Sequence, residues 1–510
     1  MTERYFVTTP IYYVNGAPHI GHAYTSVAAD VLARWKRLDG YDVFFLMGTD
    51  EHGQKVEKAA QDAGIAPQEF VDGMSAQFEA MSALMDLTND DFIRTTEPRH
   101  KAACQELWRR LRESGDIYLG QYEGWYAVRD EAFYDEDELR VLADGTRMAP
   151  SGAPVEWVRE PSYFFRLSAW QDRLLALYEA VPEFVSPASR RSEVVSFVRG
   201  GLRDLSVSRT SFSWGVPVPD DPAHVMYVWL DALTNYLSAV GFPDTDAPRW
   251  AFWPADVHVV GKDIIRFHAV YWPAFLMAAG LPVPRRVFSH GWWTASGEKM
   301  SKSLGNAVDA TRLVETFGLD PVRYFMLREV PFGNDGDYSD AALTRRLNVE
   351  LANDLGNLAQ RTLSQVNKNC GGALPALSAP TTEDTTLLQA ADALPGLLRD
   401  RLDRLAFGDA LEDIWRVIRS ANAYIDHQAP WALRKTDMDR MGAVLAVLAR
   451  VIRTVATVLQ PFMPGSMARM LDQLAVPDTG RTLAGLAVET PAGTVLPAPQ
   501  GVFPRYVPVA

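Results

Sequence analysis

The strongest constraint in this sequence is a strand–loop–helix–strand rhythm that occurs twice, with a long stretch of different character between. Tyr5-Phe6-Val7-Thr8-Thr9 is aromatic and β-branched, as strands prefer. A loop with Asn15-Gly16 and Pro18 follows, and residues 20 to 39 place Ala23, Val27, Val31, Trp35 and Leu38 at helical spacing. Gly40 is a natural C′ stop, and the unbroken apolar run Val43 to Met47 predicts a strand buried on both faces. Another helix is expected after Gly53. The rhythm returns with a strand at Val257-His258-Val259-Val260-Gly261, a helix from Lys262 to Gly280 and a strand at Arg286 to His290. This order predicts an α/β fold with a doubly wound parallel (Rossmann-like) sheet. The stretch 115 to 225 is rich in Gly, Pro, Trp and Tyr, with turns at Asp144-Gly145 and Ser151-Gly152, and reads as an insertion splitting that sheet.

From about Asn348 amphipathic helical segments take over, at 348 to 368, 384 to 406, 409 to 426 and 440 to 460, which predicts an α-helical bundle. The stretch 475 to 510 reads as an irregular tail packing back. Composition narrows the class. The 510 residues carry a formal net charge of −14, which argues against indiscriminate nucleic-acid binding. The two cysteines, Cys104 and Cys370, lie too far apart in sequence for a cysteine framework. No membrane span and no secretory signal are expected, so the expected location is cytoplasmic.

Two motifs carry phosphate chemistry. His19-Ile20-Gly21-His22 sits between the first strand and its helix. Backbone N–H groups at a helix N-terminus attract phosphate, Gly21 allows close approach, and two imidazoles can donate to phosphate oxygens. Lys299-Met300-Ser301-Lys302-Ser303, between Gly297 and Gly305-Asn306, is a cationic loop able to close on a triphosphate. Taken singly, the first motif is equally a pair of helix-start histidines and the second a solvated loop. Together, one in each half of a split sheet, they make a nucleotidyl-transfer site.

These motifs resemble the two signatures of the class I aminoacyl-tRNA synthetases. The finer resemblance is to the methionyl-tRNA synthetase family, through Pro10 to Gly16, Gly48-Thr49-Asp50-Glu51-His52-Gly53, Val228 to Ala232, Gly261 to His268 and Ala429-Pro430-Trp431. It covers about Tyr5 to Met470. The resemblance implies ATP-dependent attachment of L-methionine to methionine tRNA, initiator and elongator, through an enzyme-bound adenylate. It divides the chain at 1–114 (first catalytic half), 115–225 (inserted connective domain), 226–290 (second catalytic half), 291–347 (linking domain with the lysine loop), 348–474 (helical anticodon-binding domain) and 475–510 (tail).

The resemblance also implies roles. His19, Gly21 and His22 would grip ATP, Gly261 and Asp263 would face its ribose, and Lys299 and Lys302 would stabilise leaving pyrophosphate. Asp50 would hold the amino group of methionine. Ile11, Tyr13, Trp229, Ala232, Tyr236, Ile264, Phe267, His268 and Trp272 would form its pocket, with the Tyr236 hydroxyl able to donate to the thioether and aromatic rings against sulfur. Trp431 would stack on an unpaired base, while Asn357 and Arg361, four apart on one helix face, would hydrogen-bond base edges. ATP is expected with Mg2+. Many relatives bind zinc in the insertion, but Ala127 and Asp130 stand where cysteines could be expected, and no cysteine occurs from 105 to 369. A zinc-free insertion is therefore expected, and a monomer, since no additional C-terminal domain follows the bundle. Siblings for leucine, isoleucine, valine or cysteine, another nucleotidyl-transfer enzyme and a non-catalytic tRNA-binding protein are the competing readings.

Overall fold

The computed structural model describes residues 2–129, 132–134, 136–295, 298–299 and 308–507. Among them a parallel sheet of seven strands forms the centre. In chain order these are β1 (Arg4–Thr8), β2 (Tyr12–Tyr13), β3 (Asp42–Asp50), β4 (Asp91–Arg94), β5 (Val185–Ser186), β6 (Val257–Gly261) and β7 (Val287–His290). Their spatial order is β5-β7-β6-β1-β3, with β2 and β4 both pairing β3. The winding reverses between β1 and β6, so a crevice opens at the carboxyl ends of those two strands.

Both faces of the sheet are covered, and strand alternation sorts the side chains between two cores. Val7, Val43, Phe45, Met47, Val257 and Val259 join one core, which runs without a break into the helical bundle. Phe6, Phe44, Leu46 and Val260 join the other, beneath Trp108 and Trp272. This is why Val43 to Met47 is apolar at every position.

The stretch 115 to 225 contributes a long antiparallel ribbon, Ile117–Ala127 against Glu156–Phe165, and the helices Gln171–Ala180 and Ala188–Arg199. It is not wholly separate from the sheet, because β5 pairs Val185 with Val287 and Ser186 with Phe288. The helix expected from Lys262 to Gly280 is interrupted. A 3-10 turn at Lys262–Ile264 leads to a π-helical turn at Phe267–Tyr271, and a regular helix covers only Trp272–Ala278. Pro273 lacks the N–H that would bond the Ala269 carbonyl, and the Tyr178 hydroxyl donates to that carbonyl instead at 2.6 Å. The helix expected at 384 to 406 is two, Thr382–Asp392 and Leu394–Asp403, broken before Pro395. The segment at 348 to 368 begins as π-helix, Leu347–Gly356, before Asn357–Asn369.

The helix Met438–Leu459 is long and apolar enough, by composition, to cross a membrane. In this fold 94% of its apolar window is buried as the central helix of the bundle.

The seam between sheet and bundle is built on one ion pair. Arg323, from the helix Leu319–Arg328, donates through Nη2 to Asp30 Oδ2 at 2.6 Å, and neither side chain is exposed. Its other donors reach the carbonyls of Met85 (2.9 Å), Pro461 (2.8 Å) and Phe462 (3.2 Å). Asp30 also accepts from Arg34 Nε and from Thr88 N–H and Oγ1. Burial pushes the Asp30 carboxyl up, but Arg323, Arg34 and Thr88 together hold it below its usual value. Such a group stabilises the fold above the unfolded carboxyl range and loses that contribution as pH falls through the lowered folded value. Arg323→Met should therefore cost about 3–5 kcal/mol by stranding Asp30, and Asp30→Asn/Arg323→Met should cost less than the sum of the single changes. Denaturant unfolding of the three variants at pH 7 measures both; strict additivity would show that the pair is not coupled.

Candidate active site

The crevice is lined by the residues just past the carboxyl end of each strand. After β1 the chain reaches His19, N-cap of helix α1 (Ile20–Leu38). His19 Nδ1 accepts from Gly21 N–H at 3.0 Å, and His22 Nδ1 accepts from His19 N–H at 3.1 Å. This capping box uses both Nδ1 lone pairs, so each neutral ring carries its proton on Nε2. The rings lie 3.9 Å apart, with His22 edge-on to Tyr12 and Phe78. A Cβ at Gly21 would stand 2.9 Å from His19 Cε1, so a side chain there would push the His19 ring out of its capping position. The helix end thus presents backbone N–H groups and two oriented imidazole donors, a cradle suited to phosphate oxygens.

Across the crevice Gly261 ends β6, and a Cβ there would stand 2.6 Å from Asp263 Oδ1. Asp263 is exposed and accepts from Trp292 Nε1 at 3.1 Å. His290, at the end of β7, ties the two halves together: its Nε2 meets Thr25 Oγ1 of α1 at 2.7 Å. No local pattern in the sequence singles it out. Lys299 lies at the end of the short strand Glu298–Lys299, its side chain outside the description, and Lys302 lies outside the described residues.

Beside the histidines lies a cavity of about 210 Å³. Of the expected pocket residues, Ile11, Tyr13, Asp50, Trp229, Ala232, Tyr236, Ile264 and His268 line it. Phe267 and Trp272 do not. Phe267 stacks on Trp229 with ring centroids 3.3 Å apart, and Trp272 is fully buried behind, against Tyr236 and Trp253. Lys55 and Asn235 line the wall without having been expected. Lys55 Nζ sits 5.5 Å from the Tyr13 ring centre. Asn235 donates to the Ala232 carbonyl at 2.7 Å, while its buried Oδ1 has no donor.

The tautomers correct one expectation. His268 Nδ1 lies 3.0 Å from the Ile264 carbonyl, which only accepts, so Nδ1 holds the proton. Nε2 is then an acceptor, and the Tyr236 hydroxyl donates to it at 2.7 Å. The Tyr236 proton is committed to His268 rather than directed at a thioether, and what Tyr236 offers the cavity is its oxygen and ring face. Behind it His258 stacks on Tyr236 at 4.0 Å and meets Thr8 Oγ1 at 2.8 Å.

The cavity wall is held from behind by a fully buried carboxylate. Asp231, on the short helix Val228–Leu233 that carries Trp229 and Ala232, meets His52 Nδ1 and His100 Nε2 at 2.7 Å each. Burial would push its carboxyl up, but the two imidazoles hold it well below the ordinary carboxylate range. It joins the loop after β3, which follows Asp50, to the helix Pro98–Glu113.

In the bundle, Arg361 and Trp431 are brought together and Asn357 lies exposed on the helix that Arg361 shares. The Arg361 guanidinium stands 5.2 Å from the Trp431 ring centre and pairs with Asp426 at 2.5 Å. Trp431 is 43% exposed.

A doubly wound sheet, a helix-end phosphate cradle at its switch point and an adjacent apolar cavity with one acid define a nucleotidyl-transfer enzyme of the class I synthetase type. The comparisons agree. Residues 5–363 match the family model described as tRNA synthetases class I (M), and residues 374–506 match that of the anticodon binding domain of methionyl tRNA ligase. The chain belongs to the class I aminoacyl-tRNA synthetases and, within them, to the methionine–tRNA ligases, which attach methionine to tRNA with ATP. It is 56% identical to the methionine–tRNA ligase of Mesorhizobium japonicum, covering 99% of this chain and 98% of that protein. The Rickettsia felis ligase is 54% identical, with 99% of each covered. Among solved structures, the methionyl-tRNA synthetase of Mycobacterium tuberculosis in complex with methionyl-adenylate has a TM-score of 0.96 at 53% identity, covering 99% of this chain and all of that one. The apo form of that enzyme gives 0.91 at 50% identity, covering 100% and 99%.

Burial pushes the His268 imidazole down to about 4, against the raising pull of the Ile264 carbonyl and Asp263. Its neutral form therefore stabilises the fold fully above pH 6.5, and this contribution is lost as pH falls from there toward 4. Nitrogen-15 NMR of the ring should show the Nδ1–H tautomer unchanged from pH 8 to about 5. A His268 titrating near its ordinary value would show that the ring is not buried as described.

Proposed function

We propose that this chain makes methionyl-adenylate in the crevice between β1 and β6 and then passes the methionyl group to the terminal ribose of methionine tRNA, initiator and elongator alike. The observation that carries this reading is the adjacency of two oriented Nε2 donors and an acid-bearing apolar cavity at one switch point. Methionine enters the cavity with its ammonium toward Asp50 and its side chain among Ile11, Tyr13, Trp229, Ala232, Tyr236, Ile264 and His268. Phe267 and Trp272 support that wall from behind. ATP lies with its phosphates on His19, Gly21 and His22 and its ribose toward Gly261 and Asp263, whose carboxylate Trp292 steadies.

One carboxylate oxygen of methionine attacks the α-phosphorus, the bond from that phosphorus to the bridging oxygen breaks, and pyrophosphate leaves. The protein provides no covalent nucleophile. Its contribution is positioning and charge stabilisation, with Lys299 and Lys302 on the leaving group. Mg2+ accompanies the triphosphate, held mainly by phosphate oxygens. In the second step a ribose hydroxyl attacks the acyl carbonyl and AMP leaves. Trp431, Arg361 and Asn357 read the anticodon, Trp431 by stacking and the others at base edges.

The same reading assigns 1–114 and 226–290 to the catalytic domain, 115–225 to the connective insertion, 291–347 to the linking domain, 348–474 to the anticodon domain and 475–510 to the tail. It takes the insertion to be zinc-free, as its lack of any cysteine supports, and the enzyme to be a cytoplasmic monomer.

Exchange of pyrophosphate into ATP, run with each of the twenty amino acids and no tRNA, should respond to methionine alone. Exchange with a different amino acid would overturn the pocket assignment. Lys302→Ala should slow exchange by about 10²–10³-fold with the fold intact. Trp431→Ala should weaken tRNA charging and leave exchange unchanged; equal loss of both would make Trp431 structural.

A further inference from the structure

The wall of the methionine cavity contains one carboxylate, Asp50, and, among the described residues, one lysine or arginine, Lys55. His268, which also lines it, is neutral at pH 7 because burial pushes the imidazole down to about 4. Lys55 is partly buried, and its ammonium sits 5.5 Å from the centre of the Tyr13 ring, itself part of the wall.

A rigid turn puts it there. β3 ends at Asp50, and Gly53, at φ +110°, leads the chain into the helix Gln54–Ala63. Val56 and Ala60 bury one side of that helix, and Lys55 lies in its first turn at the cavity wall. The intervening turn is fixed by three groups. Gly53 N–H donates to the Trp214 carbonyl at 3.0 Å, and Trp214 Nε1 donates to the Glu51 carbonyl at 2.6 Å. The Glu51 carboxylate accepts from Arg94 Nε and Thr49 Oγ1 at 2.7 Å each. His52 Nδ1 meets Asp231 Oδ2 at 2.7 Å. The acid and the cation therefore flank one short segment that has little freedom to shift.

An α-amino acid enters as a zwitterion. Asp50 can meet its ammonium, but its carboxylate must leave water for an apolar cavity, which is costly without a positive partner. That carboxylate must also approach the α-phosphate, a second anion. The two histidines face the phosphates as neutral donors, so they offset none of that repulsion with formal charge. A lysine suits this task better than an arginine. A compact ammonium can hold one carboxylate oxygen and leave the other's lone pairs open, whereas a guanidinium fork tends to take both.

Taking the cavity as the methionine site of the proposed function, we propose that Lys55 binds the α-carboxylate of methionine and, with Asp50, fixes both charges of the zwitterion. One Nζ–H donates to one carboxylate oxygen while the other oxygen attacks the α-phosphorus. The new oxygen–phosphorus bond forms as the bond to pyrophosphate breaks, and the electron pair of the broken bond leaves on pyrophosphate. Lys55 gives up no proton, and the oxygen it holds becomes the carbonyl oxygen of the mixed anhydride.

The test compares L-methionine with L-methioninol, which keeps the ammonium and the thioether and replaces the carboxylate by an alcohol. Each is titrated calorimetrically into the full chain and into Lys55→Gln, without ATP. Lys55→Gln should weaken methionine binding by about tenfold or more and leave methioninol within about twofold, which also shows that the variant's cavity is folded. The methionine KM in pyrophosphate exchange should rise by a similar factor. Equal weakening of both compounds would overturn the proposal, because Lys55 would then act on the cavity's shape. Unchanged methionine binding with slowed exchange would also overturn it, by assigning Lys55 to the phosphates. Failure of the unaltered chain to bind either compound would overturn the reading of the cavity itself, and the role of Lys55 with it.

Discussion

The buried pair Arg323–Asp30 sets the relation between everything else in the molecule. Asp30 lies on α1, the helix capped by His19. The Arg323 guanidinium meets that carboxylate and three carbonyls, two of them at the corner after the central bundle helix. A guanidinium is planar and its donors are fixed, so four acceptors around it leave little freedom for sliding. Removing either charge strands the other in a fully buried site, which is a larger penalty than the pair's net contribution. The sheet and the bundle also share one continuous apolar core across this seam. Helix α1 and the bundle therefore form one packed body.

The reaction site follows a similar logic at smaller scale: groups that would meet the substrate are each oriented by a partner behind them. The histidines at the start of α1 are held by the capping box they form. Tyr236 is held by His268, which is held in turn by the Ile264 carbonyl. Trp229 and Ala232 sit on a helix whose Asp231 is clamped by His52 and His100. Transition-state stabilisation by dipoles and charges depends on their not having to reorient, and these partners supply that rigidity.

Much of this was legible in the sequence where local pattern and tertiary structure agree. The strand at Val257 to Gly261 and the helix of Ile20–Leu38 follow from periodicity, with Gly40 at φ +92° just beyond the latter's C-cap. What was not legible depends on contacts distant in sequence. Periodicity cannot reveal that Tyr178 takes over the Ala269 carbonyl and permits a π-helical turn ahead of Pro273. Nor can it show that Asp231 meets histidines at positions 52 and 100, since nothing local marks a buried acid as paired. The direction of the Tyr236 proton depends on a backbone carbonyl bonded to another residue. Pro395, by contrast, was a visible breaker, and the single helix expected across 384 to 406 underweighted it.

A net charge of −14 poses a problem for an enzyme whose substrate is a polyanion. Long-range attraction to the whole protein is unfavourable, so association must depend on local surfaces. At the bundle tip, Arg361 is already paired to Asp426 and lies near Trp431. A base that stacks on Trp431 must compete with that guanidinium, and a base edge that bonds Arg361 must compete with Asp426. A base offering both a ring face and an acceptor can replace both contacts at once, while one offering only charge replaces neither. If nucleic acid is read there, the acidic partner would weaken binding to any passing phosphate and leave selectivity to the base, at a position that the seam of Arg323 and Asp30 ties to the crevice between β1 and β6.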